Sequence, residues 1–308
     1  MAVTSVEASA AHSVPNERRR VFFGLFVFPM LIAVTMAVLL SSIILLTRED
    51  ETPESLISAI KSGSQSKRWQ KAFELSNELN RKEELIRSSG IRNEIIYILN
   101  DSAHYDGKTR AYMAMALAHF ADPEAEEALR RALQNTDDSG DTSFPLFVLW
   151  AIGNQTRQNS PAPQTISIVK HFLQSEHADL RKTAAYVLGA LGALESTPDL
   201  SLLLDDSVLD VRWNAALALA RLGNSAGRAI MLEMVDRMRL NQLQELSETQ
   251  TEQAIVNGAK GLGLIAGVVV NPEEITKTLE SLSKNDPSLK VKEAAREALV
   301  PYRVKNHV

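Results

Sequence analysis

Apolar residues recur every three or four positions along most of the chain after residue 50, in segments separated by turn-forming residues. A period near 3.6 residues places the apolar side chains on one face of a helix. The preceding residues follow another pattern, since Val21 to Thr47 is an unbroken run without any ionisable side chain. The sequence therefore predicts an all-α chain in which one continuous apolar segment precedes a long series of amphipathic helices.

The apolar segment, residues 21–47, is long enough to cross a lipid bilayer. As a helix it would span about 40 Å, against a hydrocarbon core of about 30 Å. Three consecutive arginines precede it at 18–20, and acidic residues follow Arg48. The positive-inside bias then predicts a cytoplasmic, disordered tail at residues 1–20 and places the rest of the chain on the outer side, which is the periplasm in a bacterium. A cleaved signal peptide has a shorter apolar region that ends at small residues, so we expect an uncleaved, single-pass anchor that contacts the lipid bilayer.

Two later segments, 179–192 and 210–223, share one pattern. Each begins with Asp, an aliphatic residue and Arg, has two Ala three and four residues after the Arg, and has Gly eleven residues after it. The pattern predicts a helix in which Asp caps the N-terminus, the paired Ala lets a neighbouring helix approach closely, and Gly provides a left-handed C-cap. We expect each Arg to form an ion pair with the Asp of a neighbouring copy. The polar residues of this motif are Asp179, Arg181, Asp210 and Arg212.

Weaker copies of the pattern surround these two. They begin near Arg68, Arg110, Thr142, Ile255 and Lys290. Successive copies start about 30 to 45 residues apart and most leave room for a second helix, which is the arrangement of an α-solenoid. The pattern resembles the HEAT-repeat family, specifically the short bacterial HEAT-like repeats first named from phycobilisome lyases. The resemblance implies a right-handed α-solenoid of about seven helical pairs at 66–308, after a linker and capping helix at 48–65.

The sequence offers no recognisable catalytic, metal or cofactor site. It contains no Cys, none of its six His is followed by Glu as in the zinc signature HExxH, and its net charge of −5 disfavours nucleic-acid binding. Four glycines lie in a helical context, whereas a dinucleotide-binding fingerprint would follow a strand. We therefore expect these glycines to allow close helix packing. These glycines are Gly258, Gly261, Gly263 and Gly267. We therefore expect a protein that is not an enzyme and uses no cofactor.

Trp69 and Trp213 each directly follow a repeat Arg, so they occupy equivalent positions. Such indoles either fill gaps between helices or form exposed anchors for a partner. Because a solenoid presents an extended concave face, we expect a membrane-tethered scaffold or adaptor. Its concave face would bind a protein of the same membrane or envelope, such as a transporter or an assembly factor. The alternatives are a lyase-type enzyme, suggested by the family name, and a purely structural spacer or homo-oligomer.

Overall fold

The described part of the chain is entirely helical. The computed structural model describes residues 26–46, 52–81, 88–136, 141–155, 160–243 and 246–305. These residues form sixteen α-helices with short 3-10 turns and no strand. The chain divides into two compact units, residues 1–52 and residues 53–308. The all-α fold class predicted from the periodicity is thus confirmed for the described residues.

The first unit contains helix α1 (Phe28–Leu46), which has 19 residues and no ionisable side chain. Its large apolar side chains are exposed, for example Met30 at 69% and Leu31 at 61%. The Thr35 hydroxyl donates a hydrogen bond to the Leu31 carbonyl at 2.6 Å. The polar group of Thr35 is therefore satisfied within the helix itself.

The predicted transmembrane helix at 21–47 is not shown by the described residues. At about 1.5 Å per residue, α1 is about 28 Å long. Among the residues that the structure describes, no helix combines the length and the apolarity that crossing a membrane requires. Residues 21–25 and Thr47, like the predicted tail at 1–20, lie outside the described residues.

The second unit is a series of helical pairs, each consisting of an outer helix followed by a motif helix that carries a copy of the repeat pattern. The motif helices are α3 (Gln65–Arg81), α5 (Gly107–Leu117), α7 (Ser143–Asn154), α9 (Ala178–Ala190), α11 (Leu209–Arg221), α14 (Glu248–Leu264) and α16 (Leu289–Lys305). The outer helices are α2 (Pro53–Ser62), α4 (Ser89–Asn100), α6 (Pro123–Gln134), α8 (Pro163–His171), α10 (Thr197–Leu202), α12 (Arg228–Met234) and α15 (Glu273–Asn285). An additional short helix, α13 (Arg237–Leu240), lies between α12 and α14. The described residues thus contain seven pairs, the first of which includes α2 from the segment predicted as linker and capping helix.

Successive motif helices pack directly on one another, and each also packs on its outer helix. The paired alanines at 184–185 and 215–216 have no exposed surface. A Cβ atom at Gly189 of α9 would lie only 2.7 Å from the Ala218 Cα atom of α11. The close helix approach predicted from the small residues is therefore confirmed.

The buried apolar residues form two clusters that meet at α11. One cluster runs from Leu56 to Leu219, and the other runs from Trp213 to Tyr302. At the far end of the second cluster, the Tyr302 hydroxyl donates to the Leu262 carbonyl at 2.6 Å, and burial raises the pKa of Tyr302 to about 12. The last motif helix is thereby joined to α14 by a polar contact within an apolar core.

The two ends of the motif helices differ in how well the sequence predicted them. Gly192 and Gly223 have φ angles of 68° and 70°, so the predicted left-handed C-caps are confirmed. The prediction that Asp179 and Asp210 are N-caps is wrong. The N-cap residues are the ones two positions earlier, and Asp179 and Asp210 lie in the first helical turn. There a carboxylate still interacts favourably with the helix dipole, although it caps no backbone amide.

The repeat that contains α13 is the irregular one. Arg237 of α13 donates two hydrogen bonds to the buried Asp286 carboxylate, at 2.8 and 2.9 Å, and so connects α13 to the loop before α16. On α14, a Cβ at Gly258 would lie 2.8 Å from the Met234 Cβ atom of α12. Helix α14 therefore packs closely on α12.

The packing role predicted for the four glycines holds for three of them. Added Cβ atoms at Gly258, Gly261 and Gly263 would each meet a neighbouring helix at 3.0 Å or less. The prediction is wrong for Gly267, since a Cβ there would have no neighbour within 4 Å. Gly267 ends a 3-10 turn after α14 instead of facing another helix.

We expect Gly189→Ala to destabilise the second unit by about 1–2 kcal/mol. The added methyl group would clash with the α11 backbone, which outweighs the better helix propensity of Ala. The matched control is Gly107→Ala in α5, where a Cβ would have no neighbour within 4 Å. Thermal unfolding of both variants measures the difference. An equal melting temperature for both variants would contradict the close packing of α9 on α11.

Candidate functional site

The arginines of the repeat motif bind the loops that precede the motif helices. Arg181 donates to the Asp206 carboxylate at 2.8 and 2.9 Å and to the Ser175 and Glu176 carbonyls at 2.9 and 3.0 Å. Arg212 repeats the carbonyl contacts one unit later, at the backbone of Asp206 and Ser207. These contacts fasten each motif helix to its neighbouring loop.

Of the two motif arginines, Arg181 forms an ion pair, but with a partner other than the predicted one. Arg181 pairs with Asp206, in the loop before α11, and not with Asp210. Lys182 connects the two motif aspartates instead, at 2.7 Å from Asp179 and 3.7 Å from Asp210. The motif residues therefore join consecutive repeats, which is a structural role.

Charge pairing shifts the pKa values of this network in the direction that stabilises the folded state. The hydrogen bonds from Arg181 hold the pKa of the Asp206 carboxyl below its usual value. The hydrogen bond with Asp179 raises the pKa of Lys182. A lowered carboxyl pKa means that the folded state favours the charged form of Asp206. The stabilisation of the folded state by this carboxylate is therefore present above its unfolded-state pKa and is lost as pH falls through its folded-state pKa.

A row of large apolar side chains runs across the solvent-facing side of five successive motif helices. In four of them the side chain stands five residues after the repeat Arg. In α7, which lacks the Arg, Trp150 directly follows the buried pair Val148–Leu149, just as Tyr186 follows the buried alanine pair of α9. We call this row the aromatic stripe. It consists of Phe73, Met115, Trp150, Tyr186 and Leu217.

Ring contacts make the stripe continuous along much of its length. The Tyr112 ring lies between Phe73, at 5.4 Å, and Phe147, at 5.7 Å, and the Trp150 and Tyr186 rings lie 5.1 Å apart. Phe73 and Trp150 remain 46% and 44% exposed. With neighbouring helices about 8–10 Å apart, five helices give the stripe a length of about 32–40 Å.

The two tryptophans predicted as anchors are less exposed than Trp150. Trp69 is half-buried, with the Lys108 ammonium 3.4 Å above its ring, and Trp213 is only 8% exposed. Trp213 therefore mainly fills the space between helices, while Trp150, which was not predicted, is a better candidate for partner contact. The recurrence of a large apolar residue five positions after the repeat Arg is the signal that could have identified the stripe.

At its C-terminal end the stripe opens into a groove between α9, α11 and α14, which we call the amide groove. The groove has a volume of about 330 Å³. Trp150, Tyr186 and Leu217 line one part of it. Side-chain amides line the other part, from Asn214, Gln250, Gln253 and Asn257. The surface therefore combines flat apolar groups with hydrogen-bond donors and acceptors.

The described residues contain no group of three or more His, Asp or Glu side chains that could hold a metal ion. The rings and amides of the surface offer apolar contact and hydrogen bonding.

We expect Arg181→Met to destabilise the second unit by about 2–4 kcal/mol, because it leaves the largely buried Asp206 carboxylate without its partner. The difference from the unchanged protein should shrink below about pH 4, where the carboxyl protonates. The control is Lys277→Met, whose side chain is 78% exposed and lies 3.9 Å from Glu273. That change should cost less than about 0.5 kcal/mol. Urea unfolding at several pH values tests both expectations, and a pH-independent difference would contradict the role of Asp206.

Family models match the central part of the chain. The HEAT repeats model matches residues 138–220 and 166–244, and the PBS lyase HEAT-like repeat model matches residues 109–135. No curated protein sequence matches the chain.

The chain is also similar to several solved structures. The complex of CpcE and CpcF of phycocyanin lyase from Nostoc sp. PCC7120 aligns with a TM-score of 0.50 and 16% identity, over 82% of this chain and 95% of that chain. A designed armadillo repeat protein has a TM-score of 0.37 and 17% identity, over 81% and 99%. Human deoxyhypusine hydroxylase in complex with glycerol has a TM-score of 0.36 and 17% identity, over 82% and 96%. The chain therefore matches the PBS lyase HEAT-like repeat model at residues 109–135 and the HEAT repeats model within residues 138–244, and its likeness to the phycocyanin lyase complex shows an all-helical, solenoid-like fold.

Proposed function

We propose that this protein is a membrane-tethered scaffold that binds another protein along the aromatic stripe. The observation that carries the proposal is the large apolar side chain at one repeated position of five successive motif helices, exposed at Phe73 and Trp150 and half-buried at the other three positions. Continuous apolar surface is uncommon on soluble proteins unless it binds something. Aromatic side chains are also the residues that most often dominate the binding energy of interfaces.

The shape of the surface favours an elongated protein segment as the partner. A stripe about 32–40 Å long and only one or two side chains wide matches an extended chain or a single helix, and exceeds what a small molecule would cover. This binding surface lies on the motif helices. The protein acts by binding, without a catalytic step or a cofactor of its own.

The tether is the helix α1 together with the apolar residues that flank it. Its exposed apolar side chains and the internally satisfied Thr35 hydroxyl are suited to a lipid environment. The full apolar run at 21–47 is longer than the hydrocarbon core of a bilayer. The arginines at 18–20 then favour a cytoplasmic N-terminus, which puts the repeats on the outer side with a partner of the same membrane.

Two other functions compete with this proposal. A lyase-type activity is suggested by the structural likeness to a phycocyanin lyase complex, and it would require a bound pigment or other substrate. A spacer or homo-oligomer would require only contacts between copies of the chain. Each alternative predicts a different crosslinked product from the stripe.

A photo-reactive phenylalanine analogue at Gln70, an exposed residue next to Trp69, should crosslink one partner protein that mass spectrometry can identify. The same analogue at the exposed Glu280 of α15 should not capture that protein. Replacing Trp150 and Tyr186 together by Ala should reduce the yield more than tenfold, since each interface aromatic contributes about 2 kcal/mol. A product that contains only copies of this chain would support the homo-oligomer, and equal capture from both positions would contradict binding at the stripe.

The tether is tested by alkaline carbonate extraction of membranes. The full chain should stay in the membrane fraction, and a variant with Met30, Val34 and Val38 replaced by Lys should be released. Each lysine in the middle of a membrane helix costs about 2.5–3.5 kcal/mol. A matched variant with the same three residues replaced by Leu should stay with the membrane. Release of the unchanged protein would contradict the tether.

A further inference from the structure

We propose that the amide groove binds an uncharged, extended peptide segment of the partner by its backbone. The inference rests on the proposed binding function and specifies the conformation and chemistry of the segment that is bound. The groove continues the aromatic stripe beyond α9, so a chain lying along the stripe would enter it. Its lining there combines side-chain amides with the apolar side chains of Trp213, Met234 and Leu246.

The groove lies at the repeat that contains α13, between α11 and α14. Helices α9 and α11 approach so closely that a Cβ at Gly189 would touch the α11 backbone. Helix α14 packs its Gly258 and Gly261 against the methionines of α12, and a Cβ at Gly261 would also lie 2.8 Å from the Leu217 side chain of α11. The contacts of α14 with α11 are thus made through side chains, and the groove opens beside them.

The amides of the groove offer both donors and acceptors. The Asn214 side chain donates to the Asp210 carbonyl, which leaves its own carbonyl oxygen facing no partner among the described residues. Gln253 donates to the Asn257 side-chain oxygen at 2.9 Å. Within the described residues, the Asn257 NH₂ group and the Gln253 carbonyl oxygen are then available. A peptide unit carries one donor and one acceptor, so it can satisfy both kinds of group.

An extended chain uses this arrangement better than a helix does. The backbone groups of a helix are already hydrogen-bonded to each other, so the amides of the groove would find no partner on it. In an extended chain alternate side chains point to opposite sides. One set can then pack against Trp150, Tyr186 and Leu217 while the backbone faces the amides. The length of the stripe corresponds to about 10–12 extended residues.

The charges around the groove balance each other. Lys182 lies between Asp179 and Asp210, at 2.7 and 3.7 Å. Arg221 is stacked on the Tyr186 ring, with its guanidinium carbon 5.0 Å from the ring centre. Of these groups Lys182 and Asp210 line the groove, and one cation with one carboxylate leaves no net charge, so the groove favours a neutral segment over an acidic or a basic one. Its affinity should therefore depend little on salt.

The test uses phage-displayed random peptides of about 12 residues, selected on the full chain purified in mild detergent. Selected peptides are synthesised with a fluorophore, and their affinity is measured by fluorescence anisotropy. Asn214→Leu and Asn257→Leu should each weaken binding about tenfold, while Asn285→Leu on α15, an exposed control, should have no effect. N-methylation at alternate peptide bonds should weaken binding at least tenfold. Salt between about 50 and 500 mM should change the affinity less than about twofold.

Three outcomes overturn the inference, and they separate it from the proposed function. If binding is lost with Trp150→Ala and Tyr186→Ala but not with the asparagine variants, the stripe binds proteins without backbone recognition. If the bound peptides become helical by circular dichroism, the extended conformation is wrong. If no selected peptide depends on either set of residues, both the inference and binding at the stripe fail. Thermal unfolding of each variant confirms that the protein is folded.

Discussion

The close approach of successive motif helices is the constraint on which the rest of this structure depends. Buried alanines and Gly189 bring α9 and α11 into near contact of their backbones. Because such helices stack with a constant offset, a residue at one position of the repeat has its counterparts beside it on the neighbouring helices. The same stacking that buries the alanine pair therefore aligns the residue that follows it into a stripe. Core packing and surface pattern are thus two consequences of one spacing.

The polar motif residues preserve this spacing. Arg181 holds the loop before its own helix and, through Asp206, the loop before the next. Lys182 spans two first-turn carboxylates. Since these groups bind backbone carbonyls and each other, they restrict sliding between repeats while apolar contacts provide most of the burial. Where the pattern is interrupted, at α13, a different pair takes over, between Arg237 and Asp286.

The features that the sequence predicted well are local. The left-handed glycines at 192 and 223 and the buried alanine pairs follow from backbone conformation and side-chain size within one helix. The N-cap prediction failed because the first helical hydrogen bonds already go to the residue two positions before each Asp, for example from Arg181 to the His177 carbonyl. The first-turn aspartates were taken for caps since the helix boundary is uncertain by a residue or two from sequence.

The features that the sequence missed depend on contacts between distant residues. Trp213 and Trp150 stand at different positions of the repeat pattern, and the packing of their helices buries the first and leaves the second exposed. The amide groove likewise depends on how α14 packs against α11 and α12. Periodicity identifies the helices but does not give the distances between them.

The division of the buried residues into two clusters has a thermodynamic consequence. Among the described residues, the fully buried members of the two clusters meet in α11, and the half-buried Leu204 beside it packs against both. In a linear array each repeat is stabilised mainly by its neighbours, and segments of a protein can open with different free energies. The repeats before α11 and those after it therefore constitute two cooperative segments. A partner that lies across the junction would couple them, so that occupancy of the surface would itself raise the cooperativity of the whole array.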